Sequence, residues 1–165
     1  MSTKHSKAAA RFIGNRKQEA WHDETLWMVR AKRDKMSHSL PEWERLRELA
    51  CEIKLYSNSH LDVLLEEFEK NATANGAIVH WAKDAAEHNA IVEEILQQHK
   101  AHTLIKSKSM LTEECGMNDY LFGKGYDIIE SDLGERIMQL LGLPPSHIVL
   151  PAIGVRREEV GALFE

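Results

Sequence analysis

Trp43, Leu46, Leu49, Ala50, Ile53 and Tyr56 recur every three or four positions between polar residues, the spacing that puts side chains on one face of a helix. The stripe resumes after Ser57-Asn58-Ser59 with Leu61, Leu64, Leu65 and Phe68, opposite an acidic face of Glu66, Glu67 and Glu69. Upstream, residues 1–35 mix Phe12, Ile13, Trp21, Leu26, Trp27 and Val29 with many charges, contain no proline and only Gly14, and predict a helical arm. Two tryptophans on such an arm imply that it docks, on this chain's own body or on another subunit. Residues 37–40 interrupt the pattern, and Ser39 with Glu42, followed at Pro41 by a first-turn proline, has capping-box spacing.

The pattern changes at Asn75-Gly76, a turn signal. Short apolar runs at 77–81, 103–106, 126–129 and 147–150 predict four strands. Between them lie helical stretches: one capped by Asp84 and Glu87, one over 109–122 broken at Gly116, one capped by Asp132 and Glu135, and one over 156–164. The turn before the fourth strand covers 142–146. Strands alternating with helices at this spacing predict an α/β fold with a parallel sheet over 76–165, preceded by an N-terminal helical region over 1–75.

Parallel sheets collect chemistry outside the carboxyl ends of their strands. The second predicted strand ends in Lys106, Ser107, Lys108 and Ser109; the third ends in Ser131, Asp132 and Gly134. If both strands run the same way, a cationic, hydroxyl-bearing turn and an anionic turn share one rim. Lys106, Ser107, Lys108 and Ser109 are therefore candidates for holding a carboxylate or phosphate at a helix N-terminus, with Asp132 and Gly134 beside them. A plain solvated turn with an N-cap serine explains the same residues. Glu113 and Glu114 could supply a carboxylate nucleophile or base, or simply complement the helix dipole. Asp132 and Glu135 are explained by capping alone.

With 165 residues, 43% hydrophobic and 28% charged, the chain can build one real core. Its net charge of −5 divides into about +5 over 1–35 and −10 over the rest, so the acidic body is the simplest partner for the basic arm. Basic residues are not interleaved with aromatics that stack bases, and nucleic acid is not an expected partner. Neither Cys51 nor Cys115 belongs to a C-x-x-C pair, and His99 and His102 straddle a helix end, so no metal site or cluster is expected in this chain. Cys115, at the head of a broken helix, is either a thiol of lowered pKa or a small packing residue. No signal peptide, membrane-length apolar run or lipidation motif is found, which predicts a cytoplasmic protein without an integral membrane segment. A G-x-G-x-x-G fingerprint, a P-loop and a G-x-S-x-G elbow are all missing.

The stretch from Asn71 to Gly76 with HWAKDAAE, then KSKSMLTEECGMN, ESDLGERI, and PPSHIVLPAI with EEVG, resembles in order the lactate utilisation protein B family. The resemblance implies a lactate-utilisation (LUD) domain similar to the NagB/RpiA/CoA-transferase-like α/β superfamily. It also implies a ferredoxin-like electron-transfer subunit of a bacterial system that oxidises L-lactate to pyruvate, working with sister subunits. Two four-iron-four-sulfur clusters are expected in the family's C-terminal part, and Glu165 falls part-way through its first domain. The fold expected here is accordingly an incomplete α/β domain acting as scaffold and partner-binding segment, prone to self-association across an open sheet edge or through its tryptophan-bearing helices. The alternative reading is a CoA-transferase-like or sugar-phosphate-isomerase-like enzyme using Glu113 or Glu114 with Lys106.

Overall fold

The computed structural model describes residues 2–145 and 147–165, with side chains from residue 6 onward. Met1 and Ser146, which fall in the predicted arm and in the 142–146 turn, lie outside the described residues.

Four helices come first: α1 (Ser2–Gly14), α2 (Arg16–His38), α3 (Trp43–Ser59) and α4 (Leu61–Ala74). They are followed by α5 (Ala85–Gln98), β1 (Thr103–Lys106), the short pair α6 (Met110–Glu114) and α7 (Met117–Phe122), β2 (Asp127–Glu130), α8 (Leu133–Leu140) and α9 (Arg157–Phe164). Two compact units result, one of 31–81 and one in which 1–30 join 82–165.

In the unit that contains 82–165, β1 and β2 pair in parallel, Thr103 opposite Asp127 and Lys106 opposite Glu130. Leu96 of α5, Met117 and Leu121 of α7 and Ile128 of β2 form the buried core, with Val92, Leu104, Tyr120 and Tyr126 packed on it. Leu121 is completely inaccessible. The helix start signals act as read: Asp84 accepts from the Glu87 amide at 2.9 Å, and Glu87 in turn accepts from the Lys83 amide at 2.8 Å. Gly116, at φ 60°, adopts the left-handed conformation that separates α6 from α7. Across that break Asn89 of α5, itself buried, donates to the Cys115 carbonyl at 2.8 Å.

The predicted strands at 77–81 and 147–150 do not form, so the described sheet has two strands rather than four. A strand needs a ladder, and neither segment has one. Ile78 is 82% exposed, and Trp81 is held instead by its indole N–H on Glu69 at 3.0 Å. At 147–150 the His147 ring nitrogen Nδ1 accepts from the amides of Val149 (3.1 Å) and Leu150 (2.9 Å), curling the backbone into a bend. The Ser39–Glu42 capping box is also absent: α2 runs on to His38, and the Ser39 hydroxyl donates back to the Met36 carbonyl at 2.7 Å. Glu42 occupies the N-cap of α3 without a side-chain bond.

Among the described residues, α3 and α4 bury none of their side chains. Leu46, Leu49, Ile53, Tyr56, Leu64 and Phe68 all stand exposed.

Candidate functional site at the strand ends

Parallel pairing in this register delivers both turns to one rim. The Ser131 amide donates to the Lys106 carbonyl at 2.8 Å and the Ser131 hydroxyl to the same oxygen at 3.0 Å, tying the strand exits together. Lys108 lies 3.6 Å from the Asp132 carboxylate and donates to the Val149 carbonyl at 3.1 Å. Ser109 is the N-cap of α6, accepting from the Thr112 amide at 3.4 Å, and Asp132 is the N-cap of α8, accepting from the Glu135 amide at 3.1 Å. Ser107 is exposed. At Gly134 a Cβ would stand 3.1 Å from the Pro151 ring, so the absence of a side chain lets Pro151 close over the start of α8.

Lys106 takes a different course from the rest of its turn. Side chains alternate along a strand, and the register places Leu104 and Lys106 on one face beside Ile128 and Glu130. Lys106 is 9% exposed and forms an ion pair with Glu130, which is only 3% exposed; Glu113 lies 3.6 Å from the same ammonium. Asn118 of α7 braces the group, donating to Glu130 at 2.9 Å and to Glu113 at 3.4 Å. Glu135, on the first turn of α8, is 4% exposed, and neither of its carboxyl oxygens has a hydrogen-bond donor among the described residues. Burial, and then the adjoining Glu130, raise the Glu135 pKa, which favours its neutral form. A proton on Glu135 has Glu130 as its natural acceptor. Glu114 is exposed.

Glu113, Glu130 and Glu135 are among the residues that line a cavity of about 460 Å³, with Phe122, Met138 and Leu143 among its apolar walls. Gln139 of α8 stands at its margin and performs a further task. Its side-chain amide donates to the Ile128 carbonyl at 2.7 Å and accepts from the Glu130 amide at 3.3 Å, on the edge of β2 that faces away from β1. One side chain thus supplies the donor and acceptor that a neighbouring strand would.

Sequence reasoning placed Glu113 and Glu135 on helix starts and passed over Glu130 and Asn118. The available signal was the pairing itself: TLIK laid in parallel register on DIIE sets Lys against Glu on the core face.

The residues present do not fit an iron–sulfur cluster. A four-iron cluster takes four thiolates, whereas this chain has Cys51 on exposed α3 and Cys115 at the C-cap of α6, in different units. Among the described residues no group of three or more His, Cys, Asp or Glu stands at metal-holding spacing, and no helix is long and apolar enough to cross a membrane.

Lactate utilization protein B of Bacillus pumilus is 40% identical over 129 residues, covering 78% of this chain but 27% of the relative. The uncharacterized electron transport protein YkgF of Escherichia coli is 39% identical over 132 residues, 80% of this chain and 28% of the relative. Lactate utilization protein B of Macrococcus caseolyticus is 37% identical over 138 residues, 83% and 29%. The chain therefore spans a little over a quarter of the length of these curated relatives. No solved structure matches. The LUD domain matches residues 65–165, which include both strands, both turns and the carboxylate cavity, and the chain belongs to the LUD domain family.

Proposed function

We propose that this chain is the N-terminal part of an electron-transfer subunit of a bacterial L-lactate oxidation system, and that it serves there as scaffold and partner-docking segment. The names of its relatives, lactate utilization protein B and an electron transport protein, support the pathway and the redox role. Electron carriage falls to two four-iron-four-sulfur clusters held by cysteines outside these 165 residues, since the two cysteines here cannot assemble one. The observation that carries the docking role is the uncovered apolar face of α3 and α4, where Leu46, Leu49, Ile53, Tyr56 and Phe68 stand in a stripe with no residue of either helix buried. Exposed contiguous apolar surface of this kind is built for a protein partner. An acidic partner surface approaching the strand-end rim would meet Lys108 and Ser107.

The test is lactate-dependent dye reduction by the assembled subunits. Ile53→Glu and Leu49→Glu, which leave the unit of 82–165 untouched, should lower both co-purification of the sister subunits and the rate. Unchanged assembly and rate in both variants would overturn the docking role.

A second reading, a CoA-transferase-like or isomerase-like catalyst, is favoured by one observation: Glu113 faces the cavity beside Lys106. Under it, Glu113→Gln abolishes turnover and Glu114→Gln does not, because Glu114 lies on the exposed side of α6. Equal, full activity of both variants removes it.

A further inference from the structure

We propose that the apolar stripe of α3 and α4 is covered by the same stripe of a second copy of this chain, the two running antiparallel with Ser57 facing Ser57. The inference rests on the reading of this face as a docking surface and assigns its occupant.

The stripe is one continuous feature of the unit 31–81. Only His60 separates the two helices, and helical bonding carries across it: the His60 amide donates to the Tyr56 carbonyl at 3.1 Å, and the Leu64 amide donates to the His60 carbonyl at 3.0 Å. At about 100° per residue, Leu46, Ala50, Ile53, Ser57, Leu61, Leu64 and Phe68 fall within a seam about 80° wide. Steps of three and four residues are those of helices that pack knobs into holes. All of these residues except Ser57 are exposed. The Ser57 hydroxyl donates to the Ile53 carbonyl at 2.9 Å, so it brings no unanswered donor to the seam.

Their order selects a second copy. Outward from Ser57 in both directions, apolar residues stand at equal separations: Ile53 and Leu61 first, then Ala50 and Leu64, then Leu46 and Phe68. A contact about a two-fold axis demands that match, because each residue must face its counterpart on the other copy; an unrelated partner makes no such demand. In the antiparallel pair Ile53 packs on Leu61, Ala50 on Leu64 and Leu46 on Phe68, each contact occurring twice.

Charge sets the direction. Helix α3 is balanced, with Arg45, Arg47 and Lys54 against Glu44, Glu48 and Glu52, whereas α4 sets Asp62, Glu66, Glu67 and Glu69 against Lys70 alone. A parallel pair would lay α4 on α4, acid against acid. The antiparallel pair lays it on α3, and the same helical steps put Arg45 and Glu67 on one flank of the seam, where each meets the other across the axis. Glu48, Glu52, Asp62 and Glu66 fall on the outward side, where like charges do not face one another.

The test is analytical ultracentrifugation of the 165-residue chain from about 1 to about 300 µM, where we expect a monomer–dimer equilibrium with Kd of about 10 µM. Ile53→Glu and Leu64→Glu, both at exposed positions and both counted twice by the symmetry, should each raise Kd at least a hundredfold, with circular dichroism reporting that the helices persist. Arg45→Glu and Glu67→Arg should each weaken the dimer about fivefold, and together in one chain restore it. Direction is read by a short bis-maleimide on chains carrying Cys51→Ser and Cys115→Ser: Arg45→Cys with Glu67→Cys should give a covalent dimer that neither substitution gives alone, since the two sites are about 33 Å apart within one copy. A monomer at every concentration, a dimer indifferent to Ile53→Glu and Leu64→Glu, or cross-linking by Arg45→Cys alone would each overturn the proposal. A monomer whose capture of sister subunits still falls with Ile53→Glu would sink the second copy and keep the docking role. A dimer lost with Ile53→Glu while that capture is unchanged would do the reverse.

Discussion

The helices α3 and α4 and the segment 82–165 carry equally regular apolar patterns, yet only the second turns its pattern into a core. Trp43, Leu46, Leu49, Ile53 and Tyr56 are spaced at least as cleanly as Val92, Ile95 and Leu96, but the former stay exposed while Leu96 is buried under Met117, Leu121 and Ile128. The difference lies in what faces each stripe. Helix α5 packs against α7, which packs on β2, whereas among the described residues nothing buries a side chain of α3 or α4. Periodicity announces a face that gains from cover; it does not supply the cover.

The strongest way to break this contrast is at its centre. Leu121→Ala should destabilise the unit of 82–165 by about 4 kcal/mol in urea unfolding, while Leu49→Ala on α3 should change little. Equal losses would mean that the two regions are not different in kind. Next in size, Lys106→Met leaves Glu130 buried without its cation and should cost about 3 kcal/mol. The double variant with Glu130→Gln should recover much of that, and a simple sum of the two single losses would contradict the buried pair.

Smaller effects sharpen the comparison. Asn89→Ala, which frees the Cys115 carbonyl between α6 and α7, should cost about 1 kcal/mol, read from the same unfolding curves. Hydrogen exchange should show β1 and β2 amides protected and those of α3 open at far lower free energy.

The smallest effect is a pH slope. Glu135 has a raised folded pKa, so between the ordinary carboxylate value and that raised value the folded chain holds a proton the unfolded chain has lost, and stability falls as pH rises through the window. Glu93 runs the other way: the Tyr120 hydroxyl first, and then Lys124, hold its pKa down, so its contribution is present above the ordinary carboxylate value and is lost as pH falls through the depressed one. Glu135→Gln should flatten the fall on the alkaline side and leave the acid limb intact, measured as the urea midpoint against pH.

Much of the architecture was legible because it is local. Asp84, Asp132 and Ser109 cap helices as their spacing predicts, and Gly116 breaks one where only a left-handed residue fits. The strands at 77–81 and 147–150 were misread because a strand is a relation between segments: the same apolar run becomes β2 where β1 lies alongside and a bend where His147 captures the amides first. The rim followed from chain direction alone. The burial of Lys106 against Glu130 did not, because it depends on register, and a shift of one residue would turn the lysine to solvent.

Gln139 occupies the free edge of the sheet. A sheet of two strands ordinarily invites a third, yet the far side of β2 already meets a side-chain amide that mimics a peptide unit at the Ile128 carbonyl and the Glu130 amide. Any incoming strand, from a second copy or from a longer polypeptide, has to unlatch that glutamine before it can zip on. The residue therefore closes that edge of the sheet from the same helix that carries Glu135.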